Sequence, residues 1–230
     1  MRSQLTELME WRTLEIAEMK ALLPRESDMG FELFCRGALV LCYAHWEGAF
    51  NECLKEVVGT LKTRDIDLNR AHPGISALFF SRDIDSFLNR RVEEDSIVEH
   101  LIGFHFLSQK RVKGDIANAR AASTRSNLNW HRIEIVFSIF GFCWPKLHLK
   151  KTFIEHKLSR LRHAIAHGEA PRLTRDIALQ QLNETSLLLD EISEYFHAVY
   201  NSILLPLSNQ PWGTHPTVPP NRKTVPKPTP

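Results

Sequence analysis

Apolar residues recur at intervals of three and four along most of this chain, a pattern typical of amphipathic helices rather than of strands. No stretch shows the apolar–polar alternation that a half-buried strand requires, and the polar, basic stretch 110–127 is predicted to be a loop. The spacing predicts helices, with Ser27 or Asp28 capping the second and Thr174 the last. They lie at about Ser3–Leu22, Ser27–Val58, Ser76–Leu88, Asp95–Gln109, Asn129–Phe140, Lys151–His167 and Thr174–Val199. The sequence therefore predicts an all-α fold, a bundle of helices.

The domain organisation follows from length and from the distribution of proline. A chain of 230 residues is long enough for one domain with a substantial core. Eight of the twelve prolines lie at or after Pro206, in a segment with almost no apolar periodicity. Residues 1–205 are therefore predicted to form one helical domain, and residues 206–230 a disordered proline-rich tail.

The cellular compartment is indicated by the N-terminus and the cysteines. The first twenty residues carry acids every few positions, so they are expected to be neither a signal peptide nor a membrane span. The four cysteines have no CxxC spacing and fall in apolar patterns, which favours reduced, buried thiols; they are Cys35, Cys42, Cys53 and Cys143. These features predict a cytoplasmic protein without membrane association.

The charge distribution is more informative than the net charge, which is only +2. Between Phe142 and Arg175 there are eight lysines and arginines against two acids. Such a local basic zone suits a partner that carries phosphates, such as RNA. A solvated basic face explains the charge alone equally well.

The helix predicted at Lys151–His167 carries most of the candidate chemistry, and Gly168 is the expected left-handed cap at its end. One stripe of this helix is apolar and predicted to face the core: Ile154, Leu158, Leu161 and Ile165. The opposite face repeats the same spacing with His156, Arg160, His163 and His167. At ~100° per residue, Arg162 lies about 60° from the apolar stripe.

A metal site on this face is disfavoured. His163 and His167 have the i, i+4 spacing of paired zinc ligands on a helix. Zinc normally needs a third protein ligand, however, and the helix has no glutamate at the HExxH position. No metal and no other cofactor is therefore expected, and a histidine-rich but inert helix face remains an alternative.

Three segments resemble a known family. The segment LSRLRHAIAHGE (Leu158–Glu169) resembles the Arg-x4–6-His motif of the HEPN superfamily, with Arg162 and His167 as its two residues. The segments YAHWEGAFNE (Tyr43–Glu52) and SNLNW (Ser126–Trp130) resemble the RiboL-PSP branch of that superfamily. The resemblance covers roughly Leu33 to Tyr200.

This resemblance implies a HEPN-like helical bundle and a metal-independent endoribonuclease that cuts RNA by attack of the 2′-hydroxyl. Such proteins are often toxin-like or antiviral effectors in bacteria and archaea, and they work as homodimers whose motifs face each other across a cleft. It also implies an antitoxin or another protein of the same system as a partner. Some members do not cut RNA and only bind RNA or a nucleotide, and this alternative stays open.

The residue types fit the implied chemistry. His167 is predicted to transfer protons, because an imidazole can act as acid or base near neutral pH. Arg162 is predicted to stabilise the phosphorane with its planar charged fork, and Glu47 to orient Arg162 through an ion pair, unless Glu47 simply faces water. His163 is a second acid–base group or a substrate contact. The remaining predicted RNA contacts are His156, Lys157 and Arg160.

Two further interpretations of the sequence stay open. His45 and His105 are expected to be structural histidines rather than site residues. A helical scaffold with a proline-rich recognition tail is a third class of function, and it predicts no affinity for nucleic acid beyond ordinary salt-sensitive attraction.

Overall fold

The computed structural model of this chain describes residues 2–63, 66–68, 71–88, 102–103, 111–112 and 127–199. Apart from residues 102–103, the helix predicted at 95–109 lies outside these ranges, and so does His105. The proline-rich tail and most of the predicted loop at 110–127 also lie outside them.

The described residues are mostly helical with almost no strand, which confirms the all-α prediction. In chain order the helices are α1 (Arg2–Ala21), α2 (Phe31–Thr63), α3 (Pro73–Leu88), α4 (Trp130–Phe140), α5 (Pro145–Leu149), α6 (residues 151–166) and α7 (Arg175–Val199). The predicted helix start at Asn129 and the predicted cap at Thr174 are both confirmed by hydrogen bonds. The side chain of Asn129 accepts a hydrogen bond from the Arg132 N–H at the start of α4, and the Thr174 hydroxyl accepts one from the Ile177 N–H at the start of α7.

Two local predictions were wrong. The second helix begins at Phe31 rather than at Ser27, because Gly30 has a left-handed φ of 88° and the Asp28 carboxylate closes an earlier turn on the Arg25 N–H. A short antiparallel pair also joins β1 (Ile66–Asp67), between α2 and α3, to β2 (Arg111–Val112), which lies inside the stretch 110–127 predicted to be a loop. Strands of two residues are too short to show an alternating pattern.

The main core lies where α2 packs against α7, with α1 covering both. Trp46 and Phe50 of α2 are fully buried, and the Phe50 ring meets the Phe196 ring of α7 edge to face with centroids 5.6 Å apart. Each such side chain contributes about 1.5–3 kcal/mol on burial. These contacts fix the position of α2, which carries one of the three family-like segments.

The cysteines follow the prediction at three positions. Cys35, Cys42 and Cys53 are buried free thiols of α2, and burial raises the pKa of Cys53 to about 12. Cys143 was expected to be buried as well, but it is exposed because it lies in the connection between α4 and α5.

Helix α6 differs from its predicted form in the first half. Residues Phe153–Ser159 form a π-helix, in which the Arg160 N–H bonds to the Glu155 carbonyl five residues earlier, and Arg160–Ala166 continue as an α-helix. The predicted apolar stripe is nevertheless directed inward. Ile154 and Leu158 belong to the main core, and the other two stripe residues pack against a smaller cluster around Phe31 and Leu173.

The end of α6 is as predicted. Gly168 has a φ of 85°, its N–H bonds to the Ile165 carbonyl at 3.1 Å, and the Glu169 N–H bonds to the Ala164 carbonyl at 2.9 Å. This pair of bonds is a Schellman motif, and the left-handed residue in it favours glycine. None of the helices in the described ranges has the length and apolar character needed to cross a membrane.

Candidate functional site

Arg162 lies on Tyr43, which places the motif helix α6 against α2. The guanidinium carbon is 5.0 Å from the centre of the Tyr43 ring, within the range of a cation–π contact. Arg162 is half-buried, as expected for a residue beside the apolar stripe. The aromatic face therefore restricts the orientation of the arginine while part of it stays accessible.

Tyr43 also links Arg162 to Glu47. Its hydroxyl accepts a hydrogen bond from the buried Leu128 N–H at 2.8 Å and donates one to the Glu47 carboxylate. Burial, followed by the Glu47 charge, raises the pKa of Tyr43 to about 12, so the hydroxyl keeps its proton at neutral pH. The sequence predicted an ion pair between Glu47 and Arg162, and the structure connects the two through the tyrosine.

Leu128 brings the third family-like segment to the same place. Its carbonyl accepts a hydrogen bond from the Ser159 hydroxyl of α6 at 3.3 Å, while its N–H binds Tyr43. Ser126 lies outside the described residues, but 127–130 are described. The three segments that carry the family resemblance thus converge around Tyr43 and Leu128. Sequence reasoning missed Tyr43 as a site residue, although its i, i+4 spacing to Glu47 was the available signal.

His163 and His167 form an exposed pair at the end of α6. Their ring centroids are 4.2 Å apart at an interplanar angle of 53°. His167 lies five positions after Arg162, so at ~100° per residue the two side chains leave the helix about 140° apart. Within one chain, the arginine therefore faces α2 and the imidazoles face solvent.

The other predicted RNA contacts are also exposed on α6. His156, Lys157 and Arg160 all have exposed side chains, and the Lys157 carbonyl accepts a hydrogen bond from the Gln181 side chain of α7. One cation of the basic zone is neutralised, because Lys150 pairs with Glu184 at 2.9 Å. This ion pair could not be predicted from the sequence, since it joins two separate helices.

The imidazoles of the candidate site are exposed, and Arg162 is half-buried. A shallow concavity lies elsewhere, among residues that include Glu26, Phe31 and Leu173. No three His, Cys, Asp or Glu side chains within the described ranges converge as metal ligands. What the surface offers chemically is two solvent-facing imidazoles and an oriented guanidinium on one helix.

Comparison with known proteins identifies the family. A sequence model of the RiboL-PSP-HEPN family matches residues 7–198, most of the chain. The chain belongs to the RiboL-PSP-HEPN family. The match begins within α1, before the Leu33 at which the resemblance in the sequence began. No significant match was found among curated proteins or among solved structures.

In this HEPN protein, Tyr43→Phe is expected to weaken folding and to loosen Arg162. The variant keeps the aromatic face but leaves the buried Leu128 N–H without its partner, which costs about 1–3 kcal/mol of unfolding free energy. Loss of the link to Glu47 should also free the Arg162 guanidinium to move, so any RNA cleavage that depends on Arg162 should fall about tenfold, since misplaced catalytic groups lose rate steeply. Urea denaturation and an RNA cleavage assay measure the two effects.

Tyr195→Phe is the matched control for this prediction. The Tyr195 hydroxyl bonds to the backbone of Cys143 in the connection between α4 and α5, so its loss should cost some stability but leave Arg162 and any cleavage that depends on it unchanged. Equal cleavage by Tyr43→Phe and the wild type would show that Tyr43 has no positioning role.

Proposed function

We propose that this HEPN protein is a metal-independent endoribonuclease. The proposal is carried by the convergence of three separate segments around Tyr43, which orients Arg162 on the helix that also presents His163 and His167. A permanently charged fork that binds phosphate and imidazoles that transfer protons are what RNA cleavage without metal requires.

The reaction begins when a base removes the proton of a ribose 2′-hydroxyl. The 2′-oxygen attacks the adjacent phosphorus, and the bond from phosphorus to the 5′-oxygen breaks. An acid protonates that departing oxygen, so the products are a 2′,3′-cyclic phosphate and a 5′-hydroxyl. His167 performs acid–base catalysis, with His163 as the second acid–base group or a substrate contact. Arg162 stabilises the charge of the phosphorane, Glu47 supports Arg162, and the exposed cations of α6 hold the strand.

A second copy of the chain completes the site. One helix face is a shallow surface, and two such faces related by a two-fold axis make a cleft. The divergent directions of Arg162 and His167 within one chain support a site in which each comes from a different protomer. The active form is therefore a homodimer.

The cellular role that fits this activity is that of a cytoplasmic toxin or antiviral effector in a prokaryote. An enzyme that cuts cellular RNA has to be restrained, and we infer an antitoxin or another partner protein of the same system. Slower growth on expression of the wild type, but not of His167→Ala, is the expected result.

A non-catalytic module that binds RNA or a nucleotide is the second candidate. It is favoured by the exposure of the imidazoles, since His163 and His167 both face solvent at the end of α6. The two functions differ in one measurement: a binding module retains RNA without producing new RNA ends.

Cleavage is expected to be insensitive to EDTA and to leave 2′,3′-cyclic phosphate or 3′-phosphate ends. The proposed groups are imidazoles and a guanidinium, and no carboxylate pair for Mg²⁺ accompanies them on α6. Purified protein incubated with total RNA, with and without EDTA, followed by analysis of the product ends, measures this. Products with 5′-phosphate and 3′-hydroxyl ends would contradict the mechanism.

A further inference from the structure

Trp130 provides a fixed aromatic surface beside the motif helix. It is the first residue of α4, its side chain is 3% exposed, and its indole N–H donates to the Glu134 carboxylate at 2.7 Å. Burial together with this hydrogen bond holds the ring in one orientation.

Two exposed basic side chains lie on this ring. The Lys151 ammonium is 5.3 Å from the centre of the Trp130 ring, and the His148 ring meets it edge to face at 5.1 Å. Lys150, the neighbour of Lys151, is instead paired with Glu184. Two acidic residues neighbour these side chains: Glu134, which accepts from the Trp130 indole, and the half-buried Glu155, four positions after Lys151 on α6. The Glu134 carboxylate accepts from the indole N–H, and the Lys151 ammonium is directed to the ring face.

This cluster lies on the same edge of α6 as Arg162. Three residues along one edge of α6 contact the same neighbouring surface: Lys151 touches Trp130, Ser159 binds Leu128, and Arg162 covers Tyr43. Leu128 and Trp130 are two residues apart, so their Cα atoms are separated by at most about 7 Å. Along α6, Lys151 precedes Arg162 by about 16 Å or less.

We propose that Lys151 and His148, supported by Trp130, form a phosphate subsite for the RNA strand away from the scissile bond. The strand follows the seam between α6 and residues 127–130, with Arg162 at one end and Lys151 at the other. This inference rests on the proposed ribonuclease function. The subsite implies that the substrate is a single strand of several nucleotides, because a single strand can place successive phosphates along a narrow basic seam.

Binding of RNA to a variant that cannot cleave it tests the subsite directly. In a His167→Ala background, a labelled 12-nucleotide single-stranded RNA should bind about fivefold more weakly when Lys151 and His148 are both replaced by alanine. The dependence of log Kd on log salt should become shallower by about 0.7 for each phosphate that the protein no longer neutralises. Lys55→Ala is the control, since it removes an exposed lysine paired with Glu52 farther along α2. Equal weakening by the control and the double variant would overturn the subsite.

Cleavage of two substrates separates this proposal from the proposed function. In the protein that retains His167, Lys151→Ala with His148→Ala should lower kcat/KM about fivefold for the 12-nucleotide RNA and leave a dinucleotide unaffected, because the dinucleotide does not reach Trp130. An unchanged kcat/KM for the longer RNA overturns the subsite and leaves the ribonuclease standing. Selective weakening of binding without any cleavage by the wild type supports the subsite and overturns the ribonuclease.

Discussion

Replacing His167 with alanine is expected to reduce RNA cleavage by about 10²–10⁴-fold. His167 is exposed at the C-terminal end of α6 and belongs to neither core cluster, so the loss should reflect catalysis rather than unfolding. Arg162→Ala should cost about 10²–10³-fold, because the charge of the phosphorane loses its stabilising donor. The measurement is kcat/KM on single-stranded RNA, with circular dichroism to compare the folded state of each variant.

Two further variants make this prediction specific. Arg162→Lys keeps the positive charge but loses the planar fork, so its activity should lie between that of the wild type and that of Arg162→Ala. His167→Ala should still bind RNA, because Arg162 and the other cations of α6 remain. A His167→Ala protein that cleaves at the wild-type rate would exclude His167 as the acid–base group, and an uncleaved substrate with the wild type would favour the binding module.

Mixing two inactive variants is expected to restore activity. If Arg162 of one protomer acts with His167 of the other, a heterodimer of Arg162→Ala and His167→Ala chains holds one site with both residues intact and one with neither. With half of the dimers mixed and one of two sites restored in each, refolding an equal mixture should recover roughly a quarter of wild-type activity.

The outcome of this mixing experiment also tests the geometry of the site. Each variant refolded alone gives the baseline, and mass spectrometry of the intact dimers gives the heterodimer fraction. Inactive mixtures that contain heterodimers would place both residues of a site in one chain. A monomer in solution at assay concentration would contradict the homodimer itself.

The sequence by itself determined the fold class and the positions of several helix ends. The caps at Thr174 and Gly168 and the helix start at Asn129 were predicted correctly because each depends on hydrogen bonds to residues within a few positions. The apolar stripe of α6 was likewise visible as a periodic pattern. The candidates Arg162 and His167 came from a resemblance confirmed at the level of the family.

The departures within α6 and at the start of α2 have a different origin. The π-helical turns of Phe153–Ser159 alter hydrogen bonding without altering the apolar pattern that predicted a helix. The start of α2 was misplaced because Ser27 and Asp28 are good capping residues, and the positive φ of Gly30 decided against them. In both cases the local sequence is compatible with two structures: an α-helix or a π-helix in the first half of α6, and a start of α2 at Ser27 or at Phe31.

Only the tertiary structure decided which side chains meet. The Leu128 N–H that binds the Tyr43 hydroxyl is 85 residues away in the sequence, and the Glu184 that neutralises Lys150 is 34 residues away. The Trp130 surface under Lys151 likewise exists only once α4 and α6 are packed together. Periodicity and capping report on neighbours along the chain, whereas these contacts depend on how the helices pack, which the whole core determines at once.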